Sequence, residues 1–466
     1  MSNHINRQRR KIIKLAMFGG ASTLLATQNK LNLIRAALAS DYSAIDDYKS
    51  LVCIFQRGGN DAFNMLVPLK GSEYSNYQKI RQNLAIPRNS LLPVSGEQFG
   101  FHPSMPLSRA LYNQGQLAVI ANTGVLFRPT TLDSFRNNNL IPPDLFSHSH
   151  QMDIWQTGYP SDPSIIRPGW GGVIADKINQ ANSAKAGLPP TFTLSGTNLW
   201  QSGEITRQLG VSASGVNNFE FFSNDPWERS RTRAFERIMQ MGSNHPLQAQ
   251  MQQTLNDTRM RISELKKTLD QGAELTTPID KKNPLARQLR MVAKLISVRE
   301  QLGMKRQLFF VSAGSWDTHG DQVQDHADLL AMLDKGIGSF QNTMQELDSK
   351  GIVSTNSVST FTASEFGRTL ITNGNGTDHG WASYYMVSGG AVRGGRLYGQ
   401  LPPMEIGGSN DAADEYEMPA GRLIPDFSVD QYGATLARWF GVSETDLLSI
   451  FPNLANFTQK DLGFIS

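Results

Sequence analysis

Four short apolar runs, each breaking into a polar loop that holds glycine, constrain this chain more than any other feature. Residues 51–55 (L-V-C-I-F) run into Q-R-G-G-N-D, and residues 117–121 (L-A-V-I-A) end in N-T-G. Residues 307–313 (Q-L-F-F-V-S-A) lead into G-S-W-D-T-H-G-D, and residues 358–363 (V-S-T-F-T-A) lead into S-E-F-G-R-T. L-V-C-I-F, apolar throughout, reads as a buried strand rather than a half-exposed one. Helical patterns lie between them, over residues 244–272, 284–303 and 322–347; the second has apolar residues at i, i+3, i+4 and closes on Gly303. Short strands alternating with helices predict an α/β fold, a sandwich with a mostly parallel central sheet flanked by helices. Neither a repeat nor a clear linker divides the chain, so a single domain over residues 50–466 is expected, with an irregular insert near 180–240.

Charge excludes one class of partner. The 466-residue chain has a formal net charge of +3, but residues 1–39 hold seven basic residues and no acidic one, which leaves −4 for the rest. A mildly acidic body gives no support for nucleic-acid binding. Within the basic segment, R-R-K-I-I-K (Arg9 to Lys14) precedes a weakly apolar stretch at residues 15–26, with A-L-A at 37–39. The stretch is too short to span a membrane, which takes about 20 residues. A charged region, a short apolar region and small residues together read as an export signal, and the paired arginines resemble a twin-arginine signal, whose pathway carries folded proteins. The plainer reading is a basic amphipathic helix. Cys53, the single cysteine, lies in an apolar run and reads as a buried thiol, so thiolate metal sites are excluded.

In open α/β sheets, ligands sit at the carboxyl ends of the strands. The first run delivers Arg57 and Asp61 there, the third Asp317, His319 and Asp321, and the fourth Glu365 and Arg368, followed by Asp378 and His379 in G-T-D-H-G. A separate segment, D-L-F-S-H-S-H-Q-M-D-I-W (144–155), offers Ser147, His148, Ser149, His150 and Asp153. Carboxylates mixed with imidazoles suit borderline to hard divalent ions such as Zn, Mn or Mg. Several carboxylates at one edge are costly unless a cation compensates them. Each fragment has a plainer reading alone: D-x-H as a capping Asp beside a surface His, G-T-D-H-G as a turn, S-H-S-H as a helix start capped by Ser147. R-G-G-N-D lacks the spacing of a P-loop or dinucleotide fingerprint. Their joint occurrence at strand ends points to a site.

F-Q-R-G-G-N-D-A-F-N-M-L-V-P, S-H-x-x-x-x-D-I-W-Q-T-G, W-D-T-H-G-D-Q, S-E-F-G-R-T, G-T-D-H-G-W and S-V-D-Q-Y-G-A-T-L-A-R-W-F-G-V together resemble domain-of-unknown-function family 1501. That family is grouped with the alkaline phosphatase-like superfamily of phosphatases, sulfatases and phosphoglycerate mutases. The resemblance runs from about residue 50 to the C-terminus and implies a metal site of one or two ions at the strand ends. It matches Asp61 to the early ligand and Ser147 to the nucleophile, then Asp317 with His319, Glu365 and His379 to later ligands. Two departures stand out: one residue, not three, separates Asp317 from His319, and Glu365-Phe366 stands where an Asp-His pair is common.

The expected function is that of an exported, periplasmic or extracellular metal-dependent hydrolase of phosphate or sulfate esters, small or polymer-linked. Ser147 would attack, and Arg57 or Arg368 would hold the nonbridging oxygens. His148 would bind metal, act as acid/base, or cap its helix. The ligand candidates are Asp61, Asp317, His319, Glu365, Asp378 and His379, for one or two Zn or Mn ions. The alternative is a secreted binding or assembly protein that keeps the fold without catalysis, acting with a co-exported protein.

Overall fold

The structure, a computed structural model, describes residues 42–137, 141–160, 165, 167–216, 226–241, 245–412 and 420–466. The expected export signal lies outside them. Residues Tyr42–Ser466 form one compact unit. Its strands are β1 (Lys49–Gln56), β2 (Leu66–Pro68), β3 (Leu92–Pro93), β4 (Phe99–Phe101), β5 (Leu117–Gly124), β6 (Thr191–Thr193), β7 (Leu209–Gly210), β8 (Arg306–Ala313), β9 (Val358–Ala363), β10 (Ser383–Gly389), β11 (Arg396–Tyr398) and β12 (Phe427–Ser428). The longer helices are α1 (Gly71–Arg81), α2 (Pro106–Asn113), α3 (His148–Thr157), α4 (Trp170–Ile178), α5 (Pro226–Gln240), α6 (Pro246–Asp270), α7 (Pro284–Ser297), α8 (Gln322–Ser349) and α9 (Val429–Phe440).

A nine-stranded sheet runs in the order β11-β5-β10-β9-β1-β8-β6-β7, with β12 also on β5. All its pairings are parallel except those of β10, which is antiparallel to both β5 and β9. The expected mixed α/β architecture is thus present, with one difference. The second apolar run, β5, is separated from the parallel group by β10, a strand the sequence reading does not single out. β10 follows a long loop rather than a helix, as an antiparallel return needs no crossover.

The continuous apolar runs follow from burial on both faces. Val52 and Ile54 of β1, with Phe309 and Val311 of β8, join Leu289, Val292 and Ile296 of α7 and Leu330, Leu333 and Ile337 of α8. Leu51, Cys53, Phe55, Leu308 and Phe310 join Trp170 and Ile174 of α4 and Tyr432, Leu436 and Phe440 of α9. Each such side chain contributes about 1.5–3 kcal/mol by leaving water. α7 starts where its sequence predicts, with Pro284 in the first turn and the Asn283 side chain accepting the Ala286 N–H at 3.0 Å. It ends at Ser297 rather than Gly303, because residues 298–304 close into turns, the Met304 N–H donating to the Arg299 carbonyl at 2.8 Å. The expected 244–272 and 322–347 helices are α6 and α8. The stretch near 180–240 holds β6, β7 and α5.

Register aligns the loops. Gln56 of β1 stands opposite Ala313 of β8, and Phe55 opposite Ala363 of β9. The loops after β1, β8 and β9 therefore leave the same sheet edge side by side.

Candidate metal centre

At that edge three histidines converge on one carboxylate. His148, the first residue of α3, places Nε2 3.3 Å from Asp317 Oδ2. His319 and His379 place their Nε2 atoms 3.0 Å and 3.1 Å from Asp317 Oδ1. The two Nε2 atoms are 3.0 Å apart. Suitable ligand atoms of His148, Asp317 and His379 all lie within 4.8 Å of one another.

The opposite ring nitrogens are anchored on oxygen acceptors. His148 Nδ1 is 2.9 Å from Glu365 Oε1, His319 Nδ1 is 3.1 Å from Asp378 Oδ1, and His379 Nδ1 is 2.7 Å from the Phe146 carbonyl. A carbonyl or carboxylate accepts, so each Nδ1 carries the proton; the tautomers are assigned from these partners. In the neutral rings each Nε2 then presents its lone pair toward Asp317. Outer oxygen acceptors that fix the tautomer and aim the other nitrogen are the usual support of metal-binding histidines. Without a cation the inner atoms would be acceptors facing acceptors.

The surroundings position the set. Gly58 has φ +121°, and a Cβ there would stand 2.3 Å from the Asp317 backbone nitrogen. Its N–H donates to Glu365 Oε1 at 2.8 Å, while the Trp316 N–H donates to the Arg57 carbonyl at 3.1 Å, tying the first and third loops together. Phe366 packs against the rings of His148 and His379, with centroids 4.8 Å and 4.6 Å away. Burial opposes the charge on Asp317, but the Arg368 guanidinium, with His319 and His379, outweighs it and holds the carboxyl below its usual range. Asp378 is likewise lowered against burial, by the Asn373 amide and His319. The Glu365 hydrogen bond raises His148. Burial lowers His379, with Arg368 adding to it and the Phe146 carbonyl opposing.

Several expected ligands hold other posts. Asp61 is wholly buried, its Oδ2 accepting from Arg81 and Gln322 while its Oδ1 has no hydrogen-bond partner among the described residues. Glu365 and Asp378 meet the cluster through the Nδ1 atoms of His148 and His319, as orienting acceptors. Arg368, expected to clamp an oxyanion, is 1% exposed and already donates to Asp317, the Gly58 carbonyl, Thr377 Oγ1 and the Thr377 carbonyl. Ser147 precedes α3 without capping it; its Oγ lies 3.3 Å from Ser149 Oγ. Arg57 is half-buried, and its Nε has no hydrogen-bond partner among the described residues. His150 pairs with Asp144 at 2.7 Å, and Asp321 accepts from Asn375 at 3.0 Å. The residues not foreseen are Phe146, Phe366, Asn373, Gln322, Thr377 and Arg422, whose Nε donates to the His379 carbonyl at 3.2 Å. Phe146 and Arg422 act through or upon main-chain carbonyls, which leave no mark in sequence.

A protein-family model described as "Protein of unknown function (DUF1501)" matches residues 48–443. No curated protein sequence matches. Among solved structures, the PsFucS1 sulfatase from Pseudoalteromonas sp. aligns at 11% identity and TM-score 0.33, over 94% of this chain and 74% of that one. The soluble domain of lipooligosaccharide phosphoethanolamine transferase A from Neisseria meningitidis aligns at 9% identity and TM-score 0.33, over 86% and 90%. Wild-type alkaline phosphatase PafA aligns at 9% identity and TM-score 0.27, over 70% and 64%. Likenesses this distant carry no functional weight.

Proposed function

The chain belongs to the DUF1501 family, and on that premise we propose that His148, Asp317, His319 and His379 hold a divalent metal, zinc or manganese, in an exported hydrolase of phosphate or sulfate esters. One observation carries the reading: three imidazoles, each anchored through Nδ1 on an oxygen, turn their Nε2 atoms toward one carboxylate. The donor set fits an ion of borderline hardness. When bound, such an ion supplies a Lewis acid for an ester oxygen and lowers the pKa of a nearby hydroxyl or water.

The chain's own groups have distinct tasks in this reading. Glu365, Asp378 and the Phe146 carbonyl hold the Nδ1 protons and fix the ring planes. Arg368 keeps Asp317 ionised and aimed. Ser147, beside His148 at the start of α3, leaves its helix end uncapped, so its hydroxyl is left for attack on the ester. Export rests on the basic and apolar pattern of residues 1–39. The ester is small or polymer-linked.

The test is elemental mass spectrometry of the purified protein beside His379→Ala, followed by aryl phosphate and aryl sulfate hydrolysis with Ser147→Ala as control. About one equivalent of zinc or manganese, lost in His379→Ala, supports the site, and hydrolysis abolished in Ser147→Ala supports the nucleophile. A folded wild type that takes up no metal defeats the reading and leaves a binding or assembly protein, working with a co-exported partner.

A further inference from the structure

α5 and α6 contribute nothing to the strand-end cluster and carry a surface of another kind. They meet as a hairpin: Gln252 of α6 donates to the carbonyls of Ile238 and Met241 at 3.0 Å and 2.9 Å, and Arg259 pairs with Glu236 at 3.2 Å. The end of α5 therefore lies against the start of α6. At that end Ile238, Met241, Leu247 and Met251 are 58%, 67%, 74% and 65% exposed. Behind them Arg229, Arg231, Arg233 and Arg237 are exposed along α5. Arg229, Arg233 and Arg237 recur every fourth residue and so share a helix face. Residues 229–251 contain one acidic residue, Glu236, and it is the partner of Arg259. This stretch is net +3 within a 40–466 body that is net −4.

Large flexible apolar side chains at a hairpin end, with guanidiniums behind them, match the layering of a lipid interface: acyl boundary first, phosphates next. We propose that this end of the hairpin docks the protein on an anionic lipid surface. A second copy of the chain would bring two arginine sets together, which like-charge repulsion opposes. No helix among the described residues is long and apolar enough to cross a membrane.

The test is a fluorescent probe on Met251→Cys in the full chain. Cys53 is buried, so labelling selects the introduced thiol. The basic 1–39 segment could itself draw the chain to vesicles, which is why the probe sits on the hairpin and reports local insertion. The expected result is a saturable blue shift with phosphatidylglycerol-containing vesicles and none with phosphatidylcholine alone. The same probe at Ser75→Cys, exposed on α1, stays unshifted. Arg233→Gln with Arg237→Gln weakens apparent binding roughly 25-fold, about five-fold per arginine. Absence of a shift with anionic vesicles overturns the proposal, as does a shift unchanged in the arginine variant. A blue shift without vesicles that grows with protein concentration assigns the surface to a second copy and overturns it too.

Discussion

His319 and His379 face each other through Nε2 atoms 3.0 Å apart, although each ring has its Nδ1 proton engaged by a different oxygen. Two lone pairs at that distance repel unless a cation lies between or beside them. Metal removal is therefore expected to cost stability. Chelation should lower the melting temperature by a few degrees, since an ion at a hundred times its Kd stabilises by about 2.7 kcal/mol. Zinc or manganese should restore it, and His379→Ala should ignore both treatments. Calorimetry giving identical melting curves with and without chelator would remove the metal from the reading.

Asp378→Asn separates orientation from ligation. Asp378 meets the cluster at the Nδ1 of His319, with Asn373 donating to the same Oδ1 at 3.1 Å. An amide there no longer demands the Nδ1–H tautomer as a carboxylate does, so the His319 ring is less firmly set. Loss of an outer partner of this kind typically weakens metal binding by about 10- to 100-fold. Competition with a chromophoric chelator measures it. Asp317→Ala, by contrast, should abolish binding, and equal losses in the two variants would make Asp378 a ligand after all.

Asp61 and Arg81 are both fully buried and paired, and their variants test whether Asp61 serves that pair or the ligand set. Removing one partner of a buried ion pair costs about 3–5 kcal/mol because the other charge is left alone. Asp61→Ala should lose that much stability by urea denaturation. Asp61→Leu combined with Arg81→Met should recover a good part of it. If the protein keeps its stability in Asp61→Ala but loses its metal, Asp61 belongs among the ligands.

Thr377 is the link between that pair and the cluster. Its hydroxyl donates to Gln322 Oε1 at 2.7 Å and accepts from Arg368 Nε at 3.2 Å, while the Gln322 amide donates to Asp61. Thr377→Val keeps the shape and strands a buried acceptor and a buried donor, at about 1–3 kcal/mol each. The expected outcome is a lower urea midpoint with unchanged slope, together with weaker metal binding as Arg368 loosens its hold on Asp317. Thr377→Ser should restore both.

What the sequence disclosed follows from which signals are local. β1 and β8 are legible because both faces of each are buried, which leaves apolar runs (Leu51–Phe55, Leu308–Val311), and β9 by its β-branched and aromatic residues before a glycine-containing loop. The gathering of Asp317, His319 and His379 is legible because parallel strands end at one edge. The division of labour is not, since ligand and orienting acceptor differ only in which atom faces inward. Glu365 and Asp378 look like ligands until their oxygens are found at Nδ1 positions. Asp61 looks presented by a glycine loop until Arg81, 20 residues on, is seen to hold it. The Phe146 carbonyl that sets His379 has no side-chain identity to read.

Asp430 lies far from these roles in chemistry and gives a pH dependence of its own. It stands in the first turn of α9, fully buried, with its Oδ2 accepting the Asn453 N–H at 2.9 Å. Burial pushes its carboxyl up to about 7, against the lowering effect of Asn453. In the unfolded chain it titrates at about 3.9. Between those values the folded protein holds a proton that the unfolded chain has released, so stability falls as pH rises through the window. Below it the contribution is fully present, and above about pH 7 the loss is complete and level. The drop is on the order of 4 kcal/mol at about 1.4 kcal/mol per pH unit. Asp430→Asn cannot ionise, so its urea stability should lack this slope between about pH 4 and pH 7 and exceed that of the wild type at pH 8. Parallel pH profiles for the two proteins would show that Asp430 is already ionised in the fold, with its charge met by the start of α9.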